Sequence, residues 1–129
     1  MKCGTVLFHS DFQFLDGDHA DKRLVVLNAP TFGQPYLCCK TTSKPRFPDR
    51  EGCHSSHNLY VLNPCPCFKL KTWVQFHEIY ELDAVELLQR HASGQVREVG
   101  ELPPETGRAI VNCVKRSDDI SPYQLSFLT

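Results

Sequence analysis

The spacing of apolar and polar residues divides the chain into a first half typical of strands and a second half typical of helices. Short apolar runs of four to seven residues in the first half are each closed by turn-forming residues. One longer segment, Thr72–Leu82, alternates in character, and neither of its faces is purely apolar. That pattern predicts a strand with one buried face and one face available for function. The shorter runs predicted to be strands cover residues 5–8, 24–27, Tyr36–Thr42 and Leu59–Leu62.

Two polar segments between these runs are predicted to be loops. Residues 14–22 contain Gly17 and three aspartates, and residues 43–57 contain two prolines together with charges of both signs. Proline and glycine interrupt regular hydrogen bonding, so no regular element is expected in either segment.

The apolar period changes after residue 82. Asp83 is a suitable N-cap for a helix over residues 84–91, and Gly94 is a suitable end. A short strand over residues 95–99 is expected next. A set of apolar side chains on the helix is predicted to face inward: Val85, Leu87 and Leu88.

A second helix is predicted over residues 101–117. Prolines stand near its start, where a missing N–H costs nothing, and Glu105 lies in its first turn. The tail after residue 119 is expected either to be disordered or to pack as an extended segment. The predicted buried stripe of the second helix consists of Ala109, Ile110, Cys113 and Val114.

These elements predict a single domain over residues 1–129 that is mainly β with C-terminal helices, a small barrel or half-barrel carrying them. Its composition is that of an ordinary globular protein, with 41% hydrophobic and 22% charged residues. The net charge of −1 means that any site for a polyanion has to be a local basic patch. No apolar run is long enough to span a bilayer and the start resembles a strand more than a leader, so the expectation is a cytoplasmic protein with no membrane partner.

The seven cysteines allow two interpretations. In a reducing cytoplasm they are free, small and largely buried thiols. Alternatively Cys53, His57, Cys65 and Cys67 form a zinc site, since these are ligands of the right type. The strand between the two pairs argues against zinc, because eight extended residues span up to about 26 Å. We therefore expect neither a metal nor another cofactor.

Three segments in order resemble the MazF/PemK toxin family. The first is DKRLVVLN, residues 21–28, which is similar to that family's arginine-led strand. The second is YLCCKTTSK, residues 36–44, and the third is VQFHEIYELDAVEL, residues 74–87. The chain departs from the family at Leu24, where the family has a proline after the arginine.

The resemblance implies an SH3-like β-barrel with one long and one shorter helix, and a homodimeric, metal-independent endoribonuclease. Such an enzyme is the toxin of a type II toxin–antitoxin system, with single-stranded RNA as substrate and a cognate antitoxin protein as partner. By position, Arg23 and Thr41 would be the catalytic pair, and His77 the proton carrier. The residues that the same positions assign to substrate binding are Lys22, Thr42, Ser43, Lys44, Gln75, Asp18 and His19.

The residue types suit that chemistry. RNA is cleaved through its own 2′-hydroxyl once a base, a charge on the phosphate and an acid are in place. Arg23 is permanently charged and can bind two phosphate oxygens at once. His77 would titrate near neutral pH. The basic run of Lys40, Lys44, Arg46 and Arg50 surrounds Phe47, a combination suited to tracking and stacking on a single strand.

Two other functions are compatible with the same motifs. One is a relative of the gyrase-poisoning toxins, which share the fold and act by protein contact. The other is a catalytically silent relative with a structural or regulatory role, which the absence of proline at Leu24 keeps open.

Overall fold

The computed structural model describes residues 1–128, and its seven strands form one antiparallel sheet. The strand order is β4-β5-β6-β3-β2-β1-β7. A single 3-10 turn, Ser55–His57, follows β4. The elements are β1 (Thr5–Gln13), β2 (His19–Val26), β3 (Tyr36–Thr42), β4 (Gly52–His54), β5 (Leu59–Leu62), β6 (Thr72–Leu82), α1 (Ala84–Ser93), β7 (Val96–Glu101), α2 (Pro104–Lys115) and α3 (Pro122–Leu125).

The mainly β fold with late helices is confirmed. The barrel is not, because β4 and β7 stand at opposite ends of the strand order and no pairing joins them within residues 1–128. The two expected helices are present with 10 and 12 residues, and α3 is a third. None of the helices in the described part of the chain is long and apolar enough to cross a membrane.

Two of the expected loops contain regular structure. β2 begins at His19, so the polar segment between β1 and β2 shrinks to residues 14–18. The hairpin pairs Gln13 with His19, and its register shifts between His9 and Phe12, around Asp11 with its positive φ of 51°. The prediction that residues 43–57 lack regular structure is also wrong, because β4 pairs there with β5.

The core lies on both faces of the sheet, as strand alternation requires. Val6 and Val25 belong to one cluster, which α2 covers with residues that include Ile110 and Val114. Leu7 and Leu24 belong to a second cluster, against which α1 packs Leu87. A third, smaller cluster consists of Leu59, Val61 and Trp73. Burying side chains of this size contributes roughly 1.5–3 kcal/mol each, so the two larger clusters contribute most of the apolar burial.

The ends of α1 are as predicted, but its inward face is not. The Asp83 carboxylate accepts hydrogen bonds from the N–H groups of Val85 and Glu86, and Gly94 ends the helix with a left-handed φ of 84°. However, only Leu87 is buried, while the side chains of Val85 and Leu88 are each 64% exposed. The helix packs against β7, which is an edge strand of the sheet, and Leu87 is the side chain that it buries there.

The tail forms a helix, which neither expected alternative included. Ser121 caps α3 by accepting from Gln124 N–H, and the Gln124 side chain bonds back to the Ser121 backbone. Gln124 Nε2 also donates to the carbonyl of Ile79 at 3.2 Å and to Glu81 at 3.0 Å. These bonds fasten the tail to β6.

The prediction of seven free thiols is wrong for two of them. Cys53 of β4 and Cys113 of α2 form a disulfide across 60 residues of sequence. The pairing uses one member of the set considered for zinc, and no group of three or more metal-binding side chains occurs within residues 1–128. The β4–β5 hairpin explains the disulfide, because the hairpin places Cys53 next to α2.

One buried histidine has a pKa that its surroundings lower. His9 is 2% exposed, its Nδ1–H donates to the Ser10 carbonyl at 2.8 Å, and its Nε2 accepts from Arg90 at 3.2 Å. Burial lowers the pKa of His9, and the Arg90 charge lowers it further, against the opposing effects of Ser10 and Asp11. Protonation of His9 at Nε2 would place a positive charge against the Arg90 guanidinium.

We therefore expect His9 to make the fold less stable at acid pH. Its folded pKa is lowered, so the unfolded chain binds more protons, and stability falls as pH drops below the ordinary histidine value of about 6.5. Urea unfolding at pH 7.5 and 5.5 should show a smaller loss in His9→Gln than in the wild type. The exposed His91→Gln is the matched control, and an unchanged loss in His9→Gln would contradict this assignment.

Candidate functional site

A cleft of about 420 Å³ opens where β2 and β3 meet the segment between β5 and β6. We call it the basic cleft, because four of its residues are cationic and one is acidic. A site with this charge balance attracts anions although the whole chain has a net charge of −1. Its lining consists of Phe8, Asp21, Lys22, Arg23, Thr41, Thr42, Ser43, Lys44, Phe68, Lys69, Leu70 and Thr72.

Side chains alternate between the two faces of β2, and this alternation separates the charged residues of the basic cleft. Asp21 and Arg23 lie two residues apart and share one face of the strand. Lys22 lies on the other face, where its Nζ is 5.9 Å from the centre of the Phe14 ring. The Asp21 carboxylate is oriented by the N–H of Asp11, which donates to it at 2.9 Å. Asp21 and Arg23 therefore line the cleft from the same face of β2, and Lys22 marks its rim.

Arg23 has an unused hydrogen-bond donor. Its Nε is buried and is the one buried side-chain nitrogen or oxygen of residues 1–128 without a partner. The Cys67 thiol lies nearby: burial raises its pKa, Cys65 adds to the rise and Arg23 opposes it. An unsatisfied buried donor of a charged group is costly, and a functional role is one reason for a protein to keep one.

Thr41 fixes the backbone of Arg23. The Thr41 hydroxyl donates to the Arg23 carbonyl at 2.8 Å, and the residue is only 5% exposed. Thr42 shapes the loop that follows, because its hydroxyl accepts from the N–H of Lys44 at 3.2 Å. Ser43 and Lys44 are exposed at the entrance to the cleft. The proton of Thr41 is therefore already used in holding β2 to β3.

Positive charge is concentrated around Lys22. Burial lowers its pKa, and the neighbouring charges of Lys40, Lys44 and Arg46 lower it further. Its Nζ donates to the Thr41 carbonyl at 3.4 Å. Cations that disfavour one another in this way are a favourable environment for a polyanion.

Four of the residues expected at the site do not line the basic cleft. His77 is exposed and Gln75 is buried in β6, while Asp18 and His19 lie at the end of the β1–β2 hairpin. Register explains the position of His77: the β3–β6 pairing jumps from Cys39↔Ile79 to Lys40↔Gln75, which leaves residues 76–78 as a bulge.

The bulge and the hairpin end have their own contacts. Glu78 forms an ion pair with Lys40 at 3.5 Å and accepts from the Tyr80 hydroxyl at 2.7 Å. His19 lies 3.4 Å from the Asp11 carboxylate.

Two charged residues of the basic cleft were not identified from the sequence. Lys69 comes from the segment before β6, which was considered only for its cysteines, and Asp21 was one of several loop aspartates. The signal for Lys69 was the alternation of apolar and basic residues in FKLK, residues 68–71. Asp21 could have been identified from its spacing of two from Arg23 in a strand.

Comparison with protein-family models, with curated proteins and with solved structures finds no match for this chain. The resemblance to the MazF/PemK toxins therefore rests on the sequence motifs alone.

The bond between Thr41 and Arg23 predicts a structural role for Thr41. Thr41→Val removes the donor and leaves a carbonyl unsatisfied, so we expect a loss of about 1–3 kcal/mol in unfolding free energy. Thr41→Ser keeps the hydroxyl and should retain most of that stability. Urea unfolding of the two variants checks the prediction, and equal stability would contradict it.

Proposed function

We propose that the chain is a metal-independent endoribonuclease that cleaves single-stranded RNA and acts as the toxin of a type II toxin–antitoxin system. The observation that carries the proposal is the basic cleft, which is lined by the carboxylate of Asp21 and by Arg23, whose buried Nε has no partner. The three ordered motifs described above support the same assignment.

Arg23 binds the scissile phosphate in this proposal. Its guanidinium carries a fixed charge and a fork of N–H donors, and the residue lines the basic cleft. Fixed donors aimed at developing negative charge are among the largest contributions to catalysis. Lys44 and Lys69 add charge at the same cleft.

The proton transfers fall to the groups that remain in the cleft. The Asp21 carboxylate takes the proton of the 2′-hydroxyl, and the 2′-oxygen attacks phosphorus. The bond from phosphorus to the 5′-oxygen breaks, and an ammonium of Lys44 or Lys69 protonates that oxygen. The products are a 2′,3′-cyclic phosphate and a 5′-hydroxyl. Since the nucleophile is the 2′-hydroxyl, DNA is not a substrate.

The finer features of the proposal rest on the resemblance. These are the closure of the sheet into an SH3-like barrel, the homodimer and the cognate antitoxin. The local basic cleft is compatible with an acidic partner that covers it, since opposite charges are complementary.

A second candidate function is single-strand binding without cleavage, as in a catalytically silent relative. Two observations favour it: the Thr41 hydroxyl proton is held by the Arg23 carbonyl, and His77 lies outside the residues that line the basic cleft. Binding without cleavage in EDTA would select this function, and topoisomerase inhibition without RNA cleavage would select the gyrase-poison alternative.

Arg23→Gln is expected to lower the rate of RNA cleavage by about 100-fold or more, because it removes the charge from the phosphate site. The assay follows a labelled single-stranded RNA in excess EDTA. Arg108→Gln is the matched control, since Arg108 is an exposed arginine of α2 outside the basic cleft. Cleavage by Arg23→Gln at the wild-type rate, with both variants folded, would refute the proposed site.

Asp21→Asn is expected to slow cleavage by about 100-fold, the range of a lost general base. His77→Gln should retain activity, because His77 does not line the basic cleft. Single-turnover rates across pH 5–9 compare the two variants. A large loss of activity in His77→Gln with little loss in Asp21→Asn would assign the proton transfer to His77, as the resemblance implies.

A further inference from the structure

A second cleft adjoins the basic cleft and shares Ser43 and Leu70 with it. Its volume is about 380 Å³, and it lies between the loop after β3 and the start of β6. Because the two clefts are contiguous, a strand of RNA that places a phosphate in the basic cleft can extend into the second cleft. The basic loop noted in the sequence therefore has a defined place beside the phosphate site.

The walls of the second cleft suit a flat apolar group. Pro45 and Leu70 contribute apolar surface, and Leu70 is 64% exposed. Trp73 is 3% exposed and is fixed by its Nε1–H, which donates to the Pro48 carbonyl at 2.9 Å. Trp73 lies beneath this surface and supports it, and Pro45 and Leu70 are the exposed apolar side chains that a base can pack against.

The charged groups of the second cleft add two kinds of recognition. Arg46 and Lys71 are cations beside the wall, and Lys71 Nζ lies 5.9 Å from the centre of the Trp73 ring. Asp49 places a carboxylate in the same cleft. Cations bind the phosphates on either side of a base, whereas a carboxylate accepts hydrogen bonds from an exocyclic amine.

We propose that the second cleft is a nucleobase subsite, and that Asp49 makes it select a base carrying an exocyclic amine over uracil. The inference rests on the proposed function and deepens it by naming a determinant of base choice. Cytosine presents its 4-amino group as a donor to the carboxylate, whereas uracil presents a carbonyl oxygen at that position and is repelled.

The test uses fluorescently labelled 2′-O-methyl hexanucleotides, which cannot be cleaved through the 2′-oxygen. Wild-type protein is expected to bind oligocytidylate at least about fivefold more tightly than oligouridylate in fluorescence anisotropy. Asp49→Asn should reduce that ratio to near one, because an amide also donates to the uracil carbonyl. Glu51→Gln is the matched control, a carboxylate lost from the same loop outside the cleft.

The outcomes separate the subsite from the proposed function. Equal binding of the two oligonucleotides by the wild type, or a ratio that Asp49→Asn leaves unchanged, would overturn the nucleobase subsite. Displacement of the oligonucleotide by polyglutamate at the same charge concentration would also overturn it, since it would make the surface a site for an acidic protein. The cleavage assay with Arg23→Gln decides the proposed function independently of these results.

Discussion

The pairing of β2 with β3 is the constraint on which the basic cleft depends. The two strands pair in register at Val25↔Cys39 and its neighbours, and they separate where β2 reaches Arg23. Beyond the last paired residues, the Thr41 hydroxyl links the two strands by donating to the Arg23 carbonyl at 2.8 Å. The cleft is the space left by the separating strands. On an isolated strand the Thr41 hydroxyl would be interpreted as a substrate-binding group. In the folded chain it instead fixes the backbone of Arg23.

A second constraint holds the loop that bounds the second cleft. That loop runs from the end of β3 to β4, and β4 is only three residues long. The disulfide between Cys53 and Cys113 ties β4 to α2, and through α2 to the core. Closing 60 residues of chain stabilises the fold by roughly 4 kcal/mol in the chain-entropy account. This covalent link gives a loop with few apolar contacts a defined position beside the cleft.

Local pattern was sufficient where neighbours in sequence are also neighbours in the sheet. The strand Tyr36–Thr42 and the cap at Asp83 each depend on residues within a single element, so the sequence predicted them correctly. The site residues Arg23 and Thr41 were brought together for the same reason, since their strands are adjacent. Lys69 joins the cleft only through the tertiary arrangement of strands distant in sequence. His77 was misplaced relative to the cleft by the β6 bulge, which no period-2 pattern reveals.

Charge is segregated in this chain, and the segregation follows from the sheet. Cations meet at the β2 and β3 ends, whereas Glu81 and Asp83 line a separate cleft between the end of β6 and α1. A chain with a net charge of −1 is then weakly repelled by a polyanion at long range and attracted where cations cluster, as in the basic cleft. Association of a polyanion with such a surface depends on orientation and weakens with added salt. A uniformly basic protein would attract a polyanion along its whole surface, whereas here the cations of the basic cleft lie at the strand ends that hold Arg23.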